Sequence, residues 1–103
     1  MDPAHTNPVL LELATRRAKE LQSLSLSAIA ELPPMQDEHV EGPKKIIVCV
    51  WHDVFPDGAH RVVVQANLPR LWGIFAETGV VGFVLSATGE CRPLTEEEEW
   101  QYI

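Results

Sequence analysis

The sequence is poor in several features that identify whole classes of protein. Its two cysteines, Cys49 and Cys91, are too few for a disulfide framework, so we interpret them as free thiols in the reducing cytoplasm. No apolar run approaches the roughly 18 residues of a membrane span. The first residues lack the basic region of a secretory signal. We therefore expect a soluble cytoplasmic protein with no membrane association.

Basic residues are also scarce. Eight Lys and Arg against fifteen Asp and Glu give a formal net charge of -7, which argues against binding to the phosphate backbone of nucleic acids. Four of the acids form one run at residues 96–99, which we interpret as the solvated start of a helix. The 103 residues, 46% of them hydrophobic, predict one globular domain.

A β-hairpin is the strongest structural signal that is present. Two β-branched runs flank Phe55–Gly58, which fits a type I turn with Gly58 in the left-handed region. That turn sets Asp53 opposite Arg61 on the paired strand. Because side chains alternate between faces, one face is predicted to be the core, and it carries Ile46, Val48, Val50, Val54, Val62, Val64 and Ala66.

The remaining patterns predict an α+β fold. Residues 1–34 form a helical part, 35–45 a linker and 46–103 a β-rich part. An N-terminal helix, alone or as a helical hairpin, packs on a mostly antiparallel sheet of three or four strands. The third strand is expected near 79–86 and a short fourth at 91–92. Residues 68–77 are interpreted as a short helix or an aromatic loop, and Thr95 with Glu98 matches a capping box that opens a short C-terminal helix.

The hairpin face opposite the core is unusually apolar, since it carries Trp51, Phe55 and Val63. Strand faces in contact with water seldom collect such groups without a cover. There are three alternatives for that cover: the chain itself, a second copy of the chain or a foreign partner. We predict that these residues, with Trp72 and Phe75, form an interaction surface, and that the protein makes a homodimer through this face or through the adjacent sheet edge.

The sequence contains few candidate metal-binding or catalytic residues. His52 and His60 fall on one face as diagonal neighbours within reach of a shared metal ion. They lack a third fixed ligand, so we expect them to hydrogen-bond to backbone or water, and we predict no cofactor. Cys49 lies on the face opposite His52, which separates the thiol from its nearest base.

Two functional hypotheses follow. The first is a small non-enzymatic interaction or regulatory protein that associates with itself. The alternative is a small-molecule or metal-binding protein, or an enzyme, with a pocket near Trp51, His52, His60 and Trp72. The sequence contains no pattern that names a substrate or a pathway.

Overall fold

A computed structural model describes residues 8–40, 45–69 and 76–100 of the chain. One five-stranded antiparallel sheet, with its strands in the order β1-β2-β3-β4-β5, carries helices at both ends of the sequence. The α+β class predicted from sequence is therefore confirmed, with one or two more strands than expected. The elements are α1 (Pro8–Gln22), α2 (Leu26–Ala30), β1 (Met35–Val40), β2 (Ile46–Val54), β3 (His60–Pro69), β4 (Ala76–Leu85), β5 (Cys91–Pro93) and α3 (Glu96–Trp100).

The additional strand is β1, which corrects the prediction of a linker at 35–45. Its six residues pair with β2, with Gln36 opposite Val50 and Glu38 opposite Val48. The segment is polar because it is an edge strand, paired on one side only, and so lacks the apolar alternation that reveals a half-buried strand. The Arg17 Nε donates a hydrogen bond to Glu38 at 2.8 Å and ties α1 to this edge.

The β2–β3 hairpin has the register that its turn predicts. Gly58 has a φ of 89°, and its N–H donates to the Phe55 carbonyl at 2.9 Å. Asp53 lies opposite Arg61, and the two side chains form an ion pair. A left-handed glycine at this position lets the chain reverse without strain, so the turn fixes which side chains share a face.

Helix α1 covers one side of the sheet, called here the helix face. Its buried positions, Leu10, Ala14, Ala18 and Leu21, recur at the three- and four-residue spacing of one helical stripe. They pack on the alternate valines of β2 and β3. The helix comes so close to β4 that a Cβ on Gly79 would lie 2.6 Å from the Leu11 backbone nitrogen. Only glycine permits this approach of helix to strand.

The opposite side of the sheet, called here the second face, receives its own cover from the C-terminal segment. Leu94 leaves β5 and packs on the second face with Ala59, Val63 and Val84. The predicted capping box is confirmed next to it: the Glu98 N–H donates to Thr95 Oγ1 at 3.2 Å, and the Thr95 N–H donates to Glu98 Oε1 at 2.9 Å. The cap positions the short helix α3 beside the sheet.

The segment at 68–77 is described only at its two ends. Leu68 and Pro69 belong to β3, while Ala76 and Glu77 belong to β4, so the prediction of a helix or loop is wrong for these four residues. Trp72 and Phe75 lie outside the described residues. None of the described helices is long and apolar enough to cross a membrane.

Candidate interaction surface

The two histidines singled out in the sequence are in direct contact on the helix face. His52 Nε2 and His60 Nδ1 are 2.9 Å apart, and the rings stack with centroids separated by 5.1 Å. His52 is buried, and its Nδ1 lies 2.9 Å from the Leu32 carbonyl oxygen. The prediction that both rings lie on one face is confirmed.

This geometry assigns the protons of the pair. The Leu32 carbonyl only accepts, so His52 Nδ1 carries a hydrogen, and in the neutral ring Nε2 is then an acceptor. His60 Nδ1–H donates to it. The two facing nitrogens are engaged with each other, and among the described residues no group of three or more His, Cys, Asp or Glu can hold a metal ion. The pair connects the loop after α2 to the hairpin.

Trp51 and the histidines lie on opposite sides of the sheet. Trp51 and His52 are consecutive residues of β2, and consecutive strand residues point to opposite faces. Trp51 contacts the apolar cluster around Leu94 on the second face. Of the four residues near which the alternative prediction placed a pocket, Trp51 therefore lies on the face opposite His52 and His60, and Trp72 lies outside the described residues.

The predicted interaction surface is largely occupied by the chain itself. Val63 has no exposed area, so its prediction as an interface residue is corrected. Trp51 and Phe55 are half-buried against the same cluster, and the Arg61 guanidinium lies 5.2 Å from the centre of the Phe55 ring. The internal cover that the sequence left as an alternative is therefore present at this end of the second face.

A line of polar side chains crosses the other end of the second face, over β1, β2, β3 and β4. Cys49 Sγ donates to Asp37 at 3.0 Å, Asn67 Nδ2 donates to the same sulfur at 3.6 Å, and Thr78 Oγ1 donates to Asn67 at 3.0 Å. Partial burial and the Asp37 carboxylate raise the pKa of the Cys49 thiol to about 11. The thiol therefore stays protonated at neutral pH and is not an activated nucleophile.

The two edges of the sheet differ in their side chains. At one edge, β1 presents Asp37, Glu38 and His39, and charged residues on an edge strand discourage pairing with another chain. At the other edge, β5 pairs with only three residues of β4, Phe83–Leu85. The preceding stretch of β4, residues 76–81, is called here the open β4 edge, and Glu77 is its one charged residue.

Backbone groups of the open β4 edge point away from the sheet at alternate residues. Gly82 accepts a hydrogen bond from the Leu94 N–H, so the Gly82 backbone faces outward, toward β5. Outward-facing groups alternate along a strand, which places those of Thr78 and Val80 on the same side. Within the described part of the chain, no further strand pairs with this stretch.

Helix α1 places an exposed leucine beside this edge. Arg17 reaches toward β1, so the flank of α1 that carries Leu13 and Arg17 faces that side of the sheet. At 100° per residue, Leu11 and Thr15 lie on the opposite flank. Leu11 is 37% exposed, and its backbone lies directly on Gly79 of β4. In the part of the chain that the structure describes, an apolar side chain and strand groups without a partner strand thus meet at one edge.

Comparison with family models, curated proteins and solved structures finds no match to this chain. Sequence reasoning offered a sheet edge as one route to a dimer without identifying which edge, and it missed Leu94. One signal for the β4 edge was available. The third strand was predicted to be much longer than the fourth, and this difference in length leaves part of an edge unpaired.

Proposed function

We propose that this chain is a small non-enzymatic interaction protein that associates with a second copy of itself. The observation that supports the proposal is the open β4 edge. Strand β4 has ten residues, and β5 pairs with three of them. A strand edge of this kind is a template for another strand, because its N–H and C=O groups gain partners when a chain adds to it.

Of the two predicted routes to a dimer, we propose the edge of the sheet rather than the second face. Leu94 already covers Val63 there, so little apolar area remains for a partner at that end. The open β4 edge offers two kinds of contact instead, hydrogen bonds from the strand and apolar area from Leu11. Closed two-fold symmetry is the commonest arrangement for such self-association.

A cytoplasmic location fits the proposal. Both cysteines are free, Cys49 half-buried and Cys91 exposed. An exposed thiol persists in a reducing compartment and is prone to oxidation outside it. We propose the cytoplasm as the place where the dimer forms.

Sedimentation equilibrium of the purified full chain tests the proposal. We expect a mass that rises toward twice that of the 11.5 kDa chain as the concentration increases through the micromolar range. The measurement is made with reductant present, so that a disulfide through Cys91 does not imitate association. A single species of monomer mass at high micromolar concentration would overturn self-association.

A further inference from the structure

We propose that the His52–His60 pair is a pH-sensitive switch. The pair holds residues 26–34 on the hairpin while it carries at most one added proton, and it releases them when both rings are charged. Histidine is the side chain that ordinarily changes charge between about pH 5 and 8. The contacts that carry this proposal lie within one chain, so the switch does not depend on self-association.

His52 holds both ends of the short loop that follows α2. Pro33 and Pro34 have no backbone N–H, so this loop offers mainly carbonyl acceptors to the sheet. The His52 backbone N–H donates to the Pro34 carbonyl at 3.0 Å, and its ring Nδ1 donates to the Leu32 carbonyl at 2.9 Å. The attachment of residues 26–34 to β2 at this point therefore depends on one buried residue.

The neutral pair takes up one proton without rearrangement. His60 donates from Nδ1 to His52 Nε2, so the remaining acceptor of the pair is His60 Nε2, on the less buried of the two rings. A proton on that nitrogen makes both nitrogens of His60 donors, and the hydrogen bond to His52 persists. Because donation from a charged ring is stronger than donation from a neutral one, the singly charged pair keeps every contact of the neutral pair.

A second proton does not fit the same arrangement. The nitrogen of His52 that would receive it, Nε2, lies 2.9 Å from His60 Nδ1. Once both rings are charged, both facing nitrogens carry hydrogens, so two donors and two like charges replace the hydrogen bond. His52 is 9% exposed, and a buried charge without a partner is costly. Water reaches this charge when residues 26–34, which contact the ring through Leu32, move away.

In the described part of the chain, no neighbouring carboxylate bonds to either ring and compensates for the second proton. The charged side chains on the loop, strands and turns around the pair are Glu31, Asp37, Glu38, Asp53, Asp57, Arg61 and Glu90. Those of Asp37, Asp53 and Arg61 lie on the second face. Glu38 accepts a hydrogen bond from Arg17 of α1, and Asp57 accepts the Ala59 N–H. The remaining two, in the loop after α2 and the turn after β4, are exposed. The residue opposite His60 on β4 is Leu85.

Urea unfolding between about pH 7 and pH 5, at one protein concentration, tests the switch with His52→Gln. At low pH the unfolded wild type binds two protons at this pair and the folded protein one, so stability falls as the pH falls. Glutamine has no charge, and its amide oxygen accepts the His60 Nδ1–H. The control is His39→Gln, because His39 is exposed on β1. Relative to His52→Gln, we expect the unfolding equilibrium constants of wild type and His39→Gln to rise by nearly tenfold for each pH unit below about 6. Parallel pH profiles for wild type and His52→Gln would overturn the switch.

Nuclear magnetic resonance of the wild type locates the opening and decides the proposal if His52→Gln does not fold. Ring nitrogen shifts report the protonation of each histidine, and hydrogen exchange of the His52 amide reports its bond to Pro34. The internal control is the Phe55 N–H, which donates to the Ala59 carbonyl at 2.8 Å. As the second ring gains its proton, we expect the His52 protection factor to fall by about tenfold per pH unit and that of Phe55 to stay constant. Two charged rings with a protected His52 amide, or equal losses at both amides, would overturn the switch and leave self-association standing. A monomeric wild type would overturn self-association alone.

Discussion

Removal of the Leu94 side chain should destabilise the protein strongly, although the residue lies outside every strand and helix. Leu94 is 7% exposed and packs on Ala59, Val63 and Val84. Leu94→Ala removes roughly three carbon groups at about 0.8 kcal/mol each and leaves a space beside Gly82. The site is near the surface and can partly collapse, so we expect a loss of about 2–3 kcal/mol, at the low end for buried leucines.

Urea unfolding followed by tryptophan fluorescence measures this loss. For a domain of about 100 residues, about 2–3 kcal/mol corresponds to a fall in melting temperature of roughly 10 °C or more. The control is Leu24→Ala, because Leu24 is 41% exposed and should cost less than about 0.5 kcal/mol. Unfolding curves that coincide for wild type and Leu94→Ala would show that the C-terminal segment does not cover the second face.

Three further predictions concern single side chains. In the native protein at pH 8, the exposed Cys91 should react with a thiol reagent, and Cys49 should react only on unfolding. Because folding raises the Cys49 pKa from near 9 to about 11, the stability that this thiol contributes is complete below about pH 9 and is lost as the pH rises toward 11. Alkaline denaturation of wild type and of Cys49→Ala measures this loss. Thr95→Ala should cost about 1 kcal/mol through the lost cap, and an unchanged urea midpoint would contradict it. His52→Phe should cost about 1–3 kcal/mol, since it leaves the Leu32 carbonyl and His60 without partners; a thermal melt no lower than that of wild type would exclude this role for the histidine pair.

Local chemistry made the hairpin and its faces predictable from sequence. The turn at Phe55–Gly58 allows one favourable reversal, and once it is set, the two-residue alternation assigns every side chain of β2 and β3 to a face. The same reasoning placed His52 beside His60. Thr95 and Glu98 form their cap within four residues, so the sequence contained both partners of each hydrogen bond.

The candidate site could not be predicted in this way, because its parts are distant in sequence. Which residues of β4 pair with β5 depends on where β5 ends, and β5 ends where the chain turns to place Leu94 on the second face. The position of Leu11 beside Gly79 depends on how α1 crosses the sheet. The sequence suggested an exposed second face because nothing local shows that Leu94 covers Val63.

The sequence by itself therefore determined the hairpin register, the buried stripe of α1 and the cap of α3, since turn geometry and periodicity act between near neighbours. Tertiary structure alone decided that the polar segment Met35–Val40 is a strand, that Asp37 meets the Cys49 thiol and that β5 pairs with only three residues of β4. These features arise when segments far apart in the chain pair or pack, and the free energy of such contacts depends on the whole sheet rather than on any short pattern of residues.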